Sequence, residues 1–70
     1  MKTIIIKTEF IKLDSLLKWC GATQTGGEAK LLISEGTILV NDEVELRRGR
    51  KVRPGDKVTV KGDIFLISGE

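Results

Sequence analysis

Arg47, Arg48, Arg50, Lys51, Arg53, Lys57 and Lys61 crowd into positions 47–61, where Asp56 is the only opposing charge. Five of the seven lie between positions 47 and 53, and four of those five are arginine. A guanidinium is a flat fork of N–H donors that matches two oxygens of a phosphate at once. Arginine at this density predicts a phosphate-binding patch. The competing reading is a plain solvated loop, because lysine and arginine lie at the surface in most proteins.

A second stretch bears on the same chemistry. In TQTGGEAKLLISEG, residues 23–36, two glycines stand where a helix begins. Thr25 and Glu28 fit a capping box, with Thr25 at the N-cap and Glu28 reaching back to its amide. The first amides of a helix lack intrahelical acceptors and carry partial positive charge, which favours phosphate. Gly26 and Gly27 would let an anion approach that backbone closely, and Lys30 would add charge one turn on. The alternative is that the two glycines only serve a tight turn between helices.

Other chemistries lack their residues. The chain has no histidine and one cysteine, Cys20, so Ser-His and Cys-His dyads, His-containing zinc sites and internal disulfides are excluded. No phosphate-binding or dinucleotide-binding glycine motif occurs. Cys20 is expected as a buried thiol on an apolar helix face. The expectation is therefore a non-enzymatic protein with no cofactor and no metal. Seventy residues with a net charge of +2 fit one domain, 1–70, with a small core. The opening MKTIIIK loses its apolar run at Lys7, too soon for a signal sequence, and no run could span a bilayer. A cytoplasmic monomer with no membrane partner is expected.

The elements that must position these residues follow from periodicity. Residues 2–10 read as a strand on the β-branched run Thr3–Ile6. Leu13, Leu16, Leu17 and Cys20 share one helical face, and Gly21 stands at the C-cap. A second helix starts after Thr25, buries Ala29, Leu32 and Ile33, and ends at Gly36. TILVN is a strand, Asn41-Asp42 a turn, and VELR a short strand. RGRKVRPGD reads as a basic loop ending in a Pro-Gly-Asp turn. KVTVK alternates with Val58 and Val60 inward, Gly62-Asp63 suits a type II′ hairpin, and IFLI returns. Phe65 and Phe10 are expected in the core, and Trp19 is expected to pack rather than stack on bases. The order of elements predicts a small α+β domain.

The runs KLDSLLKWCG, TGGEAKLLISEGTILVN and VRPGDKV, in this order across residues 10–61, resemble the RNA-binding domain named after ribosomal small-subunit protein S-four. The Q-T-G-G-E-A-K and E-L-R-R-G-R-K segments resemble small stand-alone bacterial members of that family. The resemblance implies a helical hairpin packed on a small, twisted, mostly antiparallel sheet (the alpha-L motif), here with an added N-terminal strand. It also implies binding of structured RNA, typically ribosomal or transfer RNA. Carried over by position, the contact residues would be Lys12, Thr25, Lys30 and Asn41, with Gly26, Gly27 and the basic loop Arg47, Arg48, Arg50 and Lys51 beside them. Two departures stand out. Thr25-Gly26-Gly27 replaces a Ser-Arg-Ser turn common in the family, and Asp42 replaces the glycine that usually follows the asparagine.

Competing functions are a β-grasp sulfur carrier or ubiquitin-like modifier, a basic protein-interaction module, and the accessory domain of a catalytic partner. The first requires a C-terminal Gly-Gly, whereas this chain ends Ser68-Gly69-Glu70. Three aromatic residues, Phe10, Trp19 and Phe65, are too few for a single-strand stacking platform.

Overall fold

The computed structural model describes all residues, 1–70, as two helices and seven strands. Five strands form the main sheet: β1 (Lys2–Ile6), β3 (Ile38–Val40), β4 (Glu43–Val44), β6 (Lys57–Val60) and β7 (Asp63–Gly69), in the order β1-β7-β6-β3-β4. β1 runs parallel to β7, and the other neighbours are antiparallel. Alternation decides which face each strand buries. Ile4 and Ile6, Ile38 and Val40, Val58 and Val60, and Phe65 and Ile67 point into one core, while Ile5 and Leu66 face outward. A second, two-stranded sheet pairs β2 (Ile11–Lys12) with β5 (Lys51–Val52).

The helices α1 (Leu13–Trp19) and α2 (Gly26–Ser34) cover the core with the expected faces, Leu13, Leu16 and Leu17 from α1 and Ala29, Leu32 and Ile33 from α2. Gly21 (φ 82°) and Gly36 (φ 77°) take the left-handed conformation that ends each helix. The Thr25 hydroxyl accepts from the Glu28 N–H at 3.1 Å, as the capping box requires. Glu28, however, accepts from the Gln24 N–H at 3.1 Å rather than from Thr25, so the box closes one residue earlier than expected. Neither helix is long and apolar enough to cross a membrane.

Four sequence expectations are corrected, the first being the strand read over residues 2–10, which ends at Ile6; the Asn41-Asp42 turn holds. Asn41 and Asp42 both carry positive φ, 53° and 69°, as a type I′ hairpin demands. The second hairpin uses the same solution rather than the expected type II′. Val60 pairs with Asp63, which leaves Lys61 (φ 50°) and Gly62 (φ 85°) as the turn and draws Asp63 into β7. The segment read as a basic loop holds β5, and its Val52 is completely buried. VELR keeps only Glu43–Val44 as strand.

Two of the three aromatic residues are the other corrections. Phe65 is in the core, but Phe10 is only partly buried, and Trp19 is 69% exposed. Trp19 lies just past the buried face set by Leu13, Leu16 and Leu17, so helical geometry turns it to solvent. Cys20 is half-buried at the edge of the core, with its Sγ 3.5 Å from the Leu17 carbonyl oxygen.

Candidate functional site

The basic segment is anchored from three sides. β5 pairs with β2, setting Ile11 opposite Val52 and Lys12 opposite Lys51. The N-cap of α1 is Lys12, which offers no side-chain cap. The first helical amides turn to the basic segment instead. Leu13 N–H donates to the Arg50 carbonyl at 2.9 Å, and Asp14 N–H donates to that of Arg48 at 3.1 Å. These bonds satisfy amides that a helix start leaves open, and they fix the backbone from 48 to 50.

The third anchor is Glu45, which is only 7% exposed. Its Oε2 accepts from the backbone N–H of Arg47 and from Arg47 Nε, both at 3.1 Å. Its Oε1 accepts from Arg47 Nη2 at 3.2 Å and from Arg50 Nη1 at 2.8 Å. The hydrogen bond from the Arg47 side chain is the main cause that brings the carboxyl down to about 2. Burial opposes this, and Arg50 adds to it. The same pair raises Arg47 above its ordinary value. Glu45 was not among the residues singled out from sequence. Its signal was there in the spacing, an acid two residues before one arginine and five before another.

Arg47, Gly49, Arg50, Lys51 and Arg53 line an open cleft of about 540 Å³ with no hydrophobic side chain in its wall. The Phe10 ring supports two of these cations, with Lys51 Nζ 5.0 Å and the Arg53 guanidinium carbon 5.9 Å from its centroid. Each is within cation–π range. Arg48 turns away from the cleft, its Nε donating to Asp14 at 3.2 Å on α1. The cleft thus presents a set of cations held at fixed positions by one buried carboxylate and one aromatic ring. Arginine donors not used by Glu45 remain free for an external anion.

Of the residues singled out from sequence, Arg47, Arg50 and Lys51 line this cleft, with Lys12 opposite Lys51 on β2 and Arg48 on the flank. Thr25, Gly26, Gly27 and Lys30 cluster at the mouth of α2. No hydrogen bond or ion pair joins them to the cleft, and none of them lines it. Neither Gly26 nor Gly27 has positive φ; both are helical, and a Cβ at either would meet open space or, at Gly27, only the Thr25 hydroxyl at 3.8 Å. The tight-turn reading of these glycines therefore loses its conformational basis. Asn41 braces the strand ends, donating to Asp56 at 3.0 Å and accepting from the Lys57 N–H at 2.9 Å. Asp42 pairs with Lys57 at 2.9 Å, so the negative charge it introduces is matched locally.

Comparison with known proteins is consistent across sequence and structure. A family model described as the S4 domain matches residues 4–68. A Bacillus subtilis (strain 168) protein named "Probable ribosome maturation protein RlbA" is 49% identical over 59 residues, covering 84% of this chain and 83% of that protein. The Escherichia coli (strain K12) protein YbcJ is 36% identical over 56 residues, 80% of each chain. The solution structure of E. coli YbcJ, described as revealing an alphaL motif involved in RNA binding, matches with a TM-score of 0.73 at 32% identity, over 97% of this chain and 87% of that one. The trimeric Heat Shock Protein 15 of Vibrio cholerae shares the fold at a TM-score of 0.67 and 20% identity over 79% of this chain, which spans 55% of that protein.

Proposed function

The chain belongs to the S4-domain family, and from that premise we propose that it binds structured RNA, ribosomal or transfer RNA, without catalysing a reaction. The observation that carries this reading is the cleft of Arg47, Arg50, Lys51 and Arg53, with no apolar wall and with its arginines held in place before any ligand arrives. Donors fixed in advance lose little entropy on binding. Phosphate oxygens are the acceptors that such a cleft fits, and helical RNA is read through its shape and backbone rather than through base edges. Lys12 extends the charge onto β2, and Arg48 extends it along α1. The mouth of α2, with Thr25, Gly26, Gly27 and Lys30, and the Asn41 turn form further contacts to the same RNA. The B. subtilis relative, named as a probable ribosome maturation protein, favours a ribosomal ligand, and such a ligand sets the site of action in the cytoplasm.

Titration with a ribosomal RNA fragment over a range of salt concentrations tests the reading. With four to five phosphates neutralised, log K is expected to fall against log salt with a slope of about −3 to −4. A flat dependence, or no retention at low salt, overturns it.

The α2 mouth has its own test. The Thr25 hydroxyl caps Glu28, while the amides of Gly26 and Gly27 find no acceptor within the chain. Alanine at either position is expected to raise stability by up to about 1 kcal/mol, because both residues are already helical and the space beside them is open. If those amides meet a phosphate, the added methyl also lowers RNA affinity. Stability and affinity then move in opposite directions in paired thermal melts and titrations. Unchanged RNA affinity in both alanine variants removes the α2 mouth from the interface.

A further inference from the structure

Resting on the reading of the chain as an RNA binder, we propose that Trp19, Ile11 and Lys18 form a ledge that stacks one unpaired nucleobase next to the phosphate cleft. The three aromatic residues have different fates. Phe65 is buried in the core, and the Phe10 ring is covered by Lys51 and Arg53. Trp19 alone keeps its ring free, 69% exposed and with no cation over it. It borders an open depression of about 320 Å³ lined by Ile11, Ser15, Lys18 and Trp19.

Position and charge select the occupant. Phe10, Ile11 and Lys12 are consecutive and link the two surfaces. Phe10 supports cations of the cleft, Ile11 lines the ledge, and Lys12 stands opposite Lys51 of the cleft wall. Ile11 shares the core-side face of the β2–β5 pair with Val52, whereas Phe10, Lys12 and Lys51 lie on the other face, so a strand whose phosphates occupy the cleft reaches the indole by crossing the β2 edge. Lys18 has no acidic partner and lies at the rim, so the ledge offers an apolar ring beside a free cation. A nucleotide presents the complement of that pair, a flat base attached to a phosphate. An apolar protein segment would leave Lys18 unmatched. A base locked in a duplex hides both its faces, so the ledge takes a base that is unpaired at a loop or an end.

Trp19 is the only tryptophan and the chain has no tyrosine, so intrinsic fluorescence near 300 nm excitation (roughly the red edge of indole absorption) reports on this ring alone. The probes are a blunt RNA duplex and the same duplex carrying a short adenosine overhang, titrated into the full chain at low salt. The overhang RNA is expected to quench Trp19 and the blunt duplex to leave it unchanged. Trp19→Ala should weaken binding of the overhang RNA by roughly 5- to 100-fold, the range of one base–aromatic stack, and change binding of the blunt duplex by less than about twofold. Trp19→Phe, which keeps a ring, should recover most of the loss. If both RNAs bind but the fluorescence does not change, or Trp19→Ala affects both RNAs equally, the ledge is wrong and the phosphate cleft stands. If Trp19→Ala leaves both affinities intact, the ring belongs to another kind of partner and the proposal fails. If neither RNA binds, the RNA reading and the ledge fall together.

Discussion

Changing Glu45, Arg47 and Arg50 to glutamine together is expected to leave a folded protein whose RNA affinity has dropped about 100-fold, with the salt slope reduced by about 2. The triple substitution alters net charge by only one unit, since it removes two cations and one anion. If charge alone governed binding, its effect would match the loss of a single lysine. Lys2→Gln with Lys7→Gln removes two units and is the control. Lys2 sits over the Phe65 ring and Lys7 lies beside Glu70 at 3.7 Å, both at the β1–β7 edge. The control should weaken binding by less than about threefold. If it costs as much as the triple variant, the arginine geometry is irrelevant.

Glu45 belongs in that variant for a physical reason. Changing only Arg47 and Arg50 would strand a carboxylate that is 7% exposed, at a cost of about 1–3 kcal/mol. The double variant should therefore melt earlier than the triple. The same carboxyl shapes the acid limb of stability. Its pKa is lowered from 4.5 to about 2 in the fold, chiefly by Arg47. A lowered carboxylate stabilises the fold fully above pH 4.5, and that contribution is lost as pH falls towards 2. Glu45→Gln should remove this part of the acid dependence, visible as a flatter melting temperature between those values. An acid limb identical to that of the wild type would show that Glu45 is not held by its arginines.

What could be read from sequence follows from how local each determinant is. The helical faces of Leu13-Leu16-Leu17 and Ala29-Leu32-Ile33, the Thr25 cap and the Asn41-Asp42 turn all depend on neighbours within one or two turns of chain. Spacing alone placed them correctly. The basic patch was visible as composition. Its division was not, because Arg48 is claimed by Asp14, thirty-four residues away, while Arg47 and Arg50 are claimed by Glu45. The Lys61-Gly62 turn was misplaced by one residue because register is decided by which residues of β6 and β7 pair, and Gly62-Asp63 is as plausible a turn pair in isolation. Trp19 was expected to pack because aromatic residues usually do. Its exposure follows from the angular position it takes once three leucines have claimed the core face.

The least legible residue carries the second large effect. Val52 sits in a run of charge and glycine, RRGRKVRPG, where one valine gives no periodicity to read. It is nonetheless fully buried and pairs with Ile11, so one side chain ties the whole arginine segment to the core. Val52→Ala removes two methyl groups from a site that the surrounding backbone cannot easily refill, at a cost of about 2 kcal/mol. For a domain of this size, that corresponds to a melting temperature lower by about 8–16 °C. The binding consequence separates Val52 from an ordinary core position. Ile67→Ala would lower stability by a similar or larger amount, but Ile67 lies in β7, within the main sheet and outside the cleft wall. Measured well below both melting transitions, RNA affinity should hold in Ile67→Ala and fall several-fold in Val52→Ala. The reason is that β5 would no longer hold Lys51 and Arg53 over the Phe10 ring. Equal affinity in the two folded variants would mean that the cleft keeps its shape without its buried anchor, leaving the Glu45 clamp and the α1 amides to hold it alone.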